Sequence, residues 1–363
     1  MITPIHQAPQ GLARRLALWM TIATVTALAV SAGSMAAVGD GARADAAGSS
    51  SRPAWAGPGS APTSRSADLP LDPVNTFGSN PGNLRMWEYL PHGLPTGAPV
   101  VVVLHGCGST PFLYADASGW TTVADAWKFA LVLPQQSVLN NPSLCFNWFS
   151  DADTSRGKGE AESIRQMVDW MVARRGVDAR RVFVTGISAG GAMTASMLGA
   201  YPDVFAGGAP VAGMPQGCAH FPAEASFCGQ PGRDLSPSEW GDRVRAETGW
   251  KGPWPKVSVW QGALDGIVNP RNLTELVEQW TDVHGIDRVP EQVETVAGHT
   301  RTVYADDSGT PQVESYLIQG MTHAQPVNPG PGPDECGVAG PFIEDVGVCA
   351  AYRISVFWGI AKG

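Results

Sequence analysis

The sequence predicts an α/β protein in which a mostly parallel sheet is covered by helices on both faces. Two observations lead to this prediction. Apolar runs alternate with helical patterns along the chain, and one of these runs, Val100–Leu104, is apolar at every position. A run of that kind is typical of a strand buried on both faces. Strands that alternate with helices indicate a parallel sheet, because the helices cover its faces.

The remaining elements follow the same alternation. Core strands are predicted at residues 100–104, 130–134, 181–185, 206–211, 257–260 and 313–318, with helices at 116–129, 160–174 and 189–198. Apolar residues recur with helical period in the 160–174 segment, and Gly176 is a suitable stop. Residues 302–305 and 313–317 flank a turn sequence, Asp306–Gly309, and predict an antiparallel hairpin.

Composition excludes some functions and bounds the domain count. The chain has 363 residues, is 44% hydrophobic and carries a formal net charge of −9. A nucleic-acid-binding protein needs a basic footprint, so this acidic balance argues against nucleic-acid partners. A single large α/β domain of this length can bury a large core. We expect that domain to span residues 73–363 and to be monomeric.

Residues 1–44 resemble a signal peptide. Arg14 and Arg15 precede an apolar run over 16–30, and small residues with cleavage-type sites at Ala36 and Ala44 follow. The apolar run is short and rich in Thr and Ala, which favours export over a membrane anchor. The Ser-, Pro- and Gly-rich segment 45–72 then predicts a flexible lead into the domain. We therefore expect a secreted, extracellular protein.

The segment 219–256 interrupts the alternation of strands and helices. It is rich in proline and contains Trp240, Trp250 and Trp254. We interpret it as an insertion over one edge of the sheet. Two roles remain open for it: part of a substrate rim, or a disulfide-tied surface loop without substrate contact.

Ser188 lies between two glycines at the end of a predicted strand. The frame Gly186-Ile187-Ser188-Ala189-Gly190 fits G-x-S-x-G, and a predicted helix follows it directly. Small neighbours permit a sharp strand-to-helix turn that lifts the serine oxygen above the sheet. The pentapeptide alone is a weak signal, but strand before and helix after strengthen it. The pattern predicts that Ser188 is a nucleophile of the α/β-hydrolase type.

A serine nucleophile needs a base, and the base needs an orienting acid. In this fold the chain order is serine, acid, histidine, each in a loop after a strand. Asp265 follows the strand predicted at 257–260, and His323 follows the one at 313–318. The competing aspartates Asp282 and Asp287 follow a helical pattern instead. We predict Asp265 as the acid and His323 as the base.

The turn His105-Gly106-Cys107-Gly108 follows the first core strand. In such hydrolases a glycine-rich turn at this place supplies a backbone N–H that binds the oxyanion, beside the N–H that follows the nucleophile. We predict that the N–H groups of Cys107 and Ala189 form this pair. The other interpretation is a tight turn whose cysteine only anchors a disulfide, and both can hold.

The cysteine count is even, as expected for an exported protein with disulfides. The residues are Cys107, Cys145, Cys218, Cys228, Cys336 and Cys349. The sequence alone does not choose among their pairings; pairing of neighbours along the chain is our hypothesis. Their spacing is unlike that of a zinc site, so no metal and no cofactor are expected.

Several motifs in series resemble the extracellular poly(3-hydroxybutyrate) depolymerase family of esterases, to which short secreted feruloyl and acetylxylan esterases are similar. The motifs are LHGCG, CFNWF, GISAGGAM, WQGALDGIV, GMTHAQP and VFWGI, and the resemblance covers roughly residues 75–363. It implies a Ser–Asp–His esterase without a metal, with Ser188, Asp265, His323 and Cys107 in the roles given above. It also implies a Cys107–Cys145 disulfide.

This sequence departs from the family pattern in two places. Thr322 stands where the family often has glycine before the histidine. Polymer-degrading members often have a granule-binding domain after the catalytic domain, whereas this sequence ends at Gly363. Soluble oligomers, amorphous polyester and plant-wall esters are therefore all candidate substrates. His105 and Trp148 are candidates for contact with substrate, although core packing beside Cys145 is the favoured interpretation for Trp148.

We predict that the protein is a carboxylic ester hydrolase. It would act through an acyl-enzyme on a poly(3-hydroxybutyrate)-type polyester or its oligomers. A feruloyl or acetylxylan esterase of plant cell walls is the main alternative. A serine peptidase on the same fold, and a binding protein with an inactive hydrolase fold, are the others.

Overall fold

The computed structural model describes residues 70–363. The predicted signal peptide, and nearly all of the predicted lead, lie outside the described residues. Within 70–363, no helix has both the length and the apolar character that crossing a membrane requires.

A large sheet organises the described chain. The strands are β1 (Asp72–Val74), β2 (Arg85–Tyr89), β3 (Val100–Leu104), β4 (Ala130–Gln135), β5 (Val182–Ile187), β6 (Gly207–Val211), β7 (Lys256–Gly262), β8 (Gln292–Val296), β9 (His299–Ala305), β10 (Pro311–Ile318), β11 (Gln325–Val327) and β12 (Ile343–Asp345). Ten of them form one sheet in the order β1-β2-β4-β3-β5-β6-β7-β10-β9-β8, and β11 pairs with β12 separately.

The helices connect these strands. They are α1 (Pro111–Ala117), α2 (Trp120–Trp127), α3 (Asp151–Thr154), α4 (Gly159–Arg175), α5 (Ala189–Ala200), α6 (Ala225–Gly229), α7 (Pro237–Thr248), α8 (Arg271–His284) and α9 (Ala350–Phe357). Strands β4, β3, β5, β6, β7 and β10 run parallel to one another, and antiparallel pairs form both edges of the sheet. The predicted mostly parallel sheet is therefore present.

Both faces of this sheet are covered by helices, as predicted. Successive side chains of β3 point to opposite faces, since strands alternate. Val102 belongs to a buried cluster with Ile164 of α4, whereas Val103 belongs to a second cluster with Trp120 of α2 and Ile354 of α9. Each face has its own core, which holds the strand ends in fixed relative positions.

One predicted helix is wrong in its extent. The sequence predicts a single helix over 116–129, but the structure has α1 and α2 with a break at Gly119. Gly119 has a left-handed backbone with φ of 85°, and a Cβ there would overlap the sulfur of Cys336. The contact with a distant segment therefore requires glycine at this break. The hairpin prediction is confirmed, because β9 and β10 pair antiparallel.

The segment 219–256 lies between β6 and β7 and contains α6 and α7. Helix α7 begins with a complete capping box, in which Ser236 and Glu239 each accept a hydrogen bond from the other's backbone N–H. The segment thus contains regular structure, and its role at a substrate rim stays a prediction. The elements that were not predicted from the sequence are β1, β2, β8, β11, β12, α3, α6, α7 and α9.

Candidate active site

Ser188 lies at a strained turn between β5 and α5. Its φ of 59° and ψ of −121° fall outside the regions that non-glycine residues favour. Such strain persists only where the surrounding structure imposes it, and it clusters at functional sites. The backbone N–H of Ser188 donates to the Val211 carbonyl at 2.9 Å, which ties the turn to the end of β6.

The flanking glycines are required by close backbone contacts. A Cβ on Gly186 would lie 2.5 Å from the carbonyl oxygen of Leu104, and a Cβ on Gly190 would overlap the same oxygen. The ends of β3 and β5 and the start of α5 therefore meet without room for a side chain. This contact explains the G-x-S-x-G pattern and brings the turn after β3 against Ser188.

Asp265 follows β7 and is held by four hydrogen bonds. Its Oδ1 accepts from the backbone N–H groups of Ile267 and Val268, both at 2.8 Å. Its Oδ2 accepts from Gln261 Nε2 at 2.8 Å and contacts His323 Nδ1 at 2.7 Å. The side chain is buried, so these bonds fix the carboxylate in one orientation.

His323 follows β10 and is also mostly buried, with 7% of its surface exposed. Because Asp265 accepts from Nδ1, the ring is held with its Nε2 as the basic nitrogen. The two loops are joined directly, since Leu264 N donates to the Met321 carbonyl at 2.9 Å. Among residues 70–363, the structure records no hydrogen bond from Ser188 Oγ to His323. In unliganded sites such bonds are often long and tighten when substrate binds.

The two predicted oxyanion donors lack acceptors. Neither the Cys107 N–H nor the Ala189 N–H donates to another described residue. Ala189 is the first residue of α5, where N–H groups have no partner within the helix. Cys107 is exposed in the turn after β3. Free N–H groups of this kind are what an oxyanion site requires.

The structure corrects the expectation that His105 contacts substrate. Its side chain is fully buried, with Nδ1 2.8 Å from the Gly106 carbonyl and Nε2 accepting from the Gln136 N–H at 3.2 Å. Burial lowers the pKa of this imidazole to about 4. A neutral ring with both nitrogens bound to protein has no surface left for substrate. No local sequence pattern indicates this burial, because the residue lies in a loop.

Trp148 is half-buried and packs between two apolar clusters, with its ring edge-to-face with that of Phe149 at 5.5 Å. Core packing is therefore its main observed role. It also borders a polar cavity of about 480 Å³, which does not include His323.

A different cavity, of about 380 Å³, lies beside His323. Its walls include Leu264, Ile267, Thr322, His323, Phe342 and Glu344. The sequence analysis missed Phe342 and Glu344, which lie far along the chain and form part of no motif. The sequence signal for this cavity was the pair Leu264 and Ile267 on either side of Asp265, since apolar residues are unusual in such a turn.

The disulfides match the neighbour pairing that we hypothesised. They join Cys107 to Cys145, Cys218 to Cys228 and Cys336 to Cys349. The first closes the turn that bears the Cys107 N–H. In the part of the chain that the structure describes, no group of three or more His, Cys, Asp or Glu is arranged to hold a metal ion.

The strained serine, the bound Asp265–His323 pair and the free N–H groups are the kinds of group that a serine hydrolase uses. The comparisons with known proteins agree with this class. The chain belongs to the esterase PHB depolymerase family, whose model matches residues 84–303. It is therefore an esterase.

Relatives in the family differ in their named substrates. The chain is 50% identical over 298 residues to poly(3-hydroxyalkanoate) depolymerase C of Paucimonas lemoignei, covering 82% of this chain and 72% of that protein. It is 31% identical to feruloyl esterase B of Talaromyces funiculosus, covering 71% and 74%. Among solved structures, an acetyl xylan esterase from Aspergillus awamori aligns with a TM-score of 0.67 and 26% identity, over 80% of this chain and 99% of that one.

Proposed function

We propose that this protein is a secreted serine esterase with the α/β-hydrolase fold, and that Ser188, Asp265 and His323 are its catalytic triad. The observation that supports this best is the 2.7 Å contact between Asp265 Oδ2 and His323 Nδ1, in loops after two late strands. The sheet order and the strained serine after β5 support the fold assignment.

In this mechanism His323 Nε2 takes the proton of Ser188 Oγ as the oxygen attacks the ester carbonyl. The N–H groups of Cys107 and Ala189 stabilise the negative carbonyl oxygen. The C–O bond to the alcohol breaks, and His323 returns the proton to the leaving oxygen. Water then attacks the acyl-enzyme by the same route and releases the acid, which restores Ser188.

For the substrate, we propose a polyester of 3-hydroxyalkanoate units or its oligomers. The cavity beside His323 has large exposed apolar side chains: Leu264 is 65% exposed, Ile267 54% and Phe342 58%. Such surface is unfavourable in water unless it binds something apolar. Aliphatic polyester chains suit it, and the relative with 50% identity is named as a depolymerase of this substrate class.

A second candidate function is deacylation of plant cell-wall polysaccharide. The support is the alignment with the acetyl xylan esterase over 99% of that chain. Almost the whole of that enzyme aligns with this chain. A domain of the size proposed for residues 73–363 is therefore sufficient for this activity.

The test compares wild type, Ser188→Ala and a control, Ser308→Ala, which removes an exposed turn hydroxyl. Substrates are amorphous poly(3-hydroxybutyrate), methyl ferulate, acetylated xylan and casein. We expect wild type and the control to clear the polyester, and Ser188→Ala to lose about 10³-fold or more of the activity.

Other outcomes reassign the function. Activity on ferulate or acetyl esters alone supports the second candidate, and cleavage of casein alone indicates a peptidase. Retained activity in Ser188→Ala contradicts the triad. Absence of labelling by a fluorophosphonate, which reacts with activated serines, indicates a binding protein. Export is tested separately by N-terminal sequencing of the protein recovered from culture medium, where we expect a start close to residue 45.

A further inference from the structure

Glu160 is a buried carboxyl group that the mechanism above does not use. It lies in the first turn of α4 and has no exposed surface. Burial, together with a smaller effect of the like charge of Asp153, raises its pKa to about 8. Keeping an ionisable group in such a place is unfavourable unless its hydrogen bonds serve a purpose.

The two carboxyl oxygens of Glu160 bind different segments. Oε1 accepts from Gln136 Nε2, and Oε2 accepts from the backbone N–H of Asn147 at 2.8 Å. Asn147 lies two residues after Cys145. Glu160 therefore holds the segment that follows the cysteine of the first disulfide, and it also holds Gln136 directly after β4.

Gln136 joins these contacts to the turn after β3. Its Nε2 also donates to the Cys145 carbonyl at 3.0 Å, and its Oε1 accepts from the Ser137 N–H at 2.8 Å. Its backbone N–H donates to His105 Nε2 at 3.2 Å. Because its amide has partners on both ends, the side chain has one orientation only.

The turn that bears the Cys107 N–H is thus held from several directions. Cys107 is bonded to Cys145, and the next N–H, of Gly108, donates to the Ser143 carbonyl at 2.8 Å. His105 Nδ1 contacts the Gly106 carbonyl at 2.8 Å. Each of these contacts leads to Gln136 or to the segment 143–147. Glu160 in turn binds both Gln136 and that segment.

We propose that Glu160 and Gln136 are positioning residues that fix the Cys107 N–H at the oxyanion site. This inference rests on the proposed function, because it requires that the Cys107 N–H binds the oxyanion. An oxyanion donor acts only when it is already aimed at the developing charge, so a displacement of the turn lowers transition-state stabilisation more than substrate binding.

The test uses Glu160→Gln. Its side-chain NH2 group must face either Gln136 Nε2 or the Asn147 N–H, so one of these two donors loses its acceptor. Glu162→Gln is the matched control. It makes the same change two residues later in α4, where the carboxylate binds Tyr201 and Gln166 and does not contact the turn. Ser188→Ala is measured in parallel. The readouts are kcat and KM with p-nitrophenyl butyrate, the Ki of a trifluoromethyl ketone that forms a tetrahedral adduct, and the melting temperature.

We expect Glu160→Gln to lower kcat by about tenfold and to weaken the ketone Ki by a similar factor, with KM within about twofold of wild type. Glu162→Gln should leave kcat, KM and the ketone Ki at wild-type values. A melting temperature that falls while kcat and Ki stay within twofold of wild type overturns the proposal, because it indicates a structural role alone.

A second variant covers the case in which Glu160→Gln does not fold. Gln136→Met removes the side-chain bonds to Cys145 and Glu160 but keeps the backbone bond to His105, and the same criteria decide its outcome. The parallel Ser188→Ala variant separates the two levels of the argument. If it is active, the proposed function fails; if it is inactive while the Glu160 and Gln136 variants retain wild-type kcat, only this inference fails.

Discussion

Glu344 accepts hydrogen bonds from both the hydroxyl and the backbone N–H of Thr322, the residue that precedes His323. The N–H lies 3.3 Å from each carboxylate oxygen, and the hydroxyl is bound to Oε1. The side chain of Thr322 therefore ties the histidine loop to β12.

This relationship predicts the effect of Thr322→Val, which removes the hydroxyl and keeps the shape. We expect kcat/KM with p-nitrophenyl butyrate to fall by about threefold, since one exposed hydrogen bond to a carboxylate is lost beside the base. Thr300→Val, at an exposed position of β9, should behave as wild type. Equal kcat/KM in both variants would show that the Glu344 contact does not position His323.

Asp265→Asn tests the orienting acid. The amide cannot accept from His323 Nδ1, Gln261 Nε2 and two backbone N–H groups together, so the imidazole adopts the wrong tautomer. We expect kcat to fall by about 10³- to 10⁴-fold with little change in the circular dichroism spectrum. Asp287→Asn, at the competing aspartate, is the control and should retain full activity. The assignment fails if the two variants lose activity to the same extent.

Leu264→Ser tests the apolar wall of the cavity beside His323. Replacing this exposed side chain removes apolar contact with a polymer chain but leaves the hydrogen bonds of the loop in place. We expect the rate of polyester clearing to fall by about fivefold or more, while kcat/KM for p-nitrophenyl acetate changes less than twofold. Val289→Ser removes an aliphatic side chain of similar exposure that does not line the cavity. Parallel losses in both variants would rule out a specific role for the cavity wall.

The raised pKa of Glu160 predicts how stability depends on pH. Between the usual carboxyl pKa and about 8, the folded protein binds more protons than the unfolded chain. Stability therefore falls as pH rises through this range, by at most about 1.4 kcal/mol per pH unit from this group. The slope from this group should be absent in Glu160→Gln and present in Glu162→Gln.

Urea unfolding at several values from about pH 5 to about pH 8 measures this difference. Buried His105, whose pKa is lowered to about 4, contributes a slope of opposite sign below its usual pKa. That contribution is the same in both variants and cancels when they are compared. Identical pH profiles for the two variants would contradict the assignment of the slope to Glu160.

Much of the fold could be predicted from the sequence because its main signals are local. Three such local signals are the apolar run of β3, the glycines around Ser188 and the helix stop at Gly176. The structure has an element at each of these places. Asp265 and His323 were predicted as partners from the fixed order in which acid and base follow strands. The structure shows their contact, which the pairing of β7 with β10 permits.

The features that were missed depend on residues far apart in the chain. The contact of Gly119 with Cys336 leaves no room for a side chain at the break between α1 and α2. Burial of His105 depends on the end of β4, and the network around Glu160 joins α4 to two loops. Nothing in the local pattern around these residues reports such contacts. A glutamate at the start of a helix is typical of an exposed first turn, so only the fold identifies Glu160 as buried.

The Cys336–Cys349 disulfide has a consequence for how new specificities arise in this scaffold. It closes a small covalent ring that contains Phe342 and Glu344. Both residues line the cavity, and Glu344 also anchors the histidine loop through Thr322. The ring lies outside the ten-stranded sheet and its ends are fixed by their own bond. Because the disulfide keeps the two ends together, a substitution at the exposed Phe342 changes the cavity wall while Glu344 stays in place beside the histidine loop.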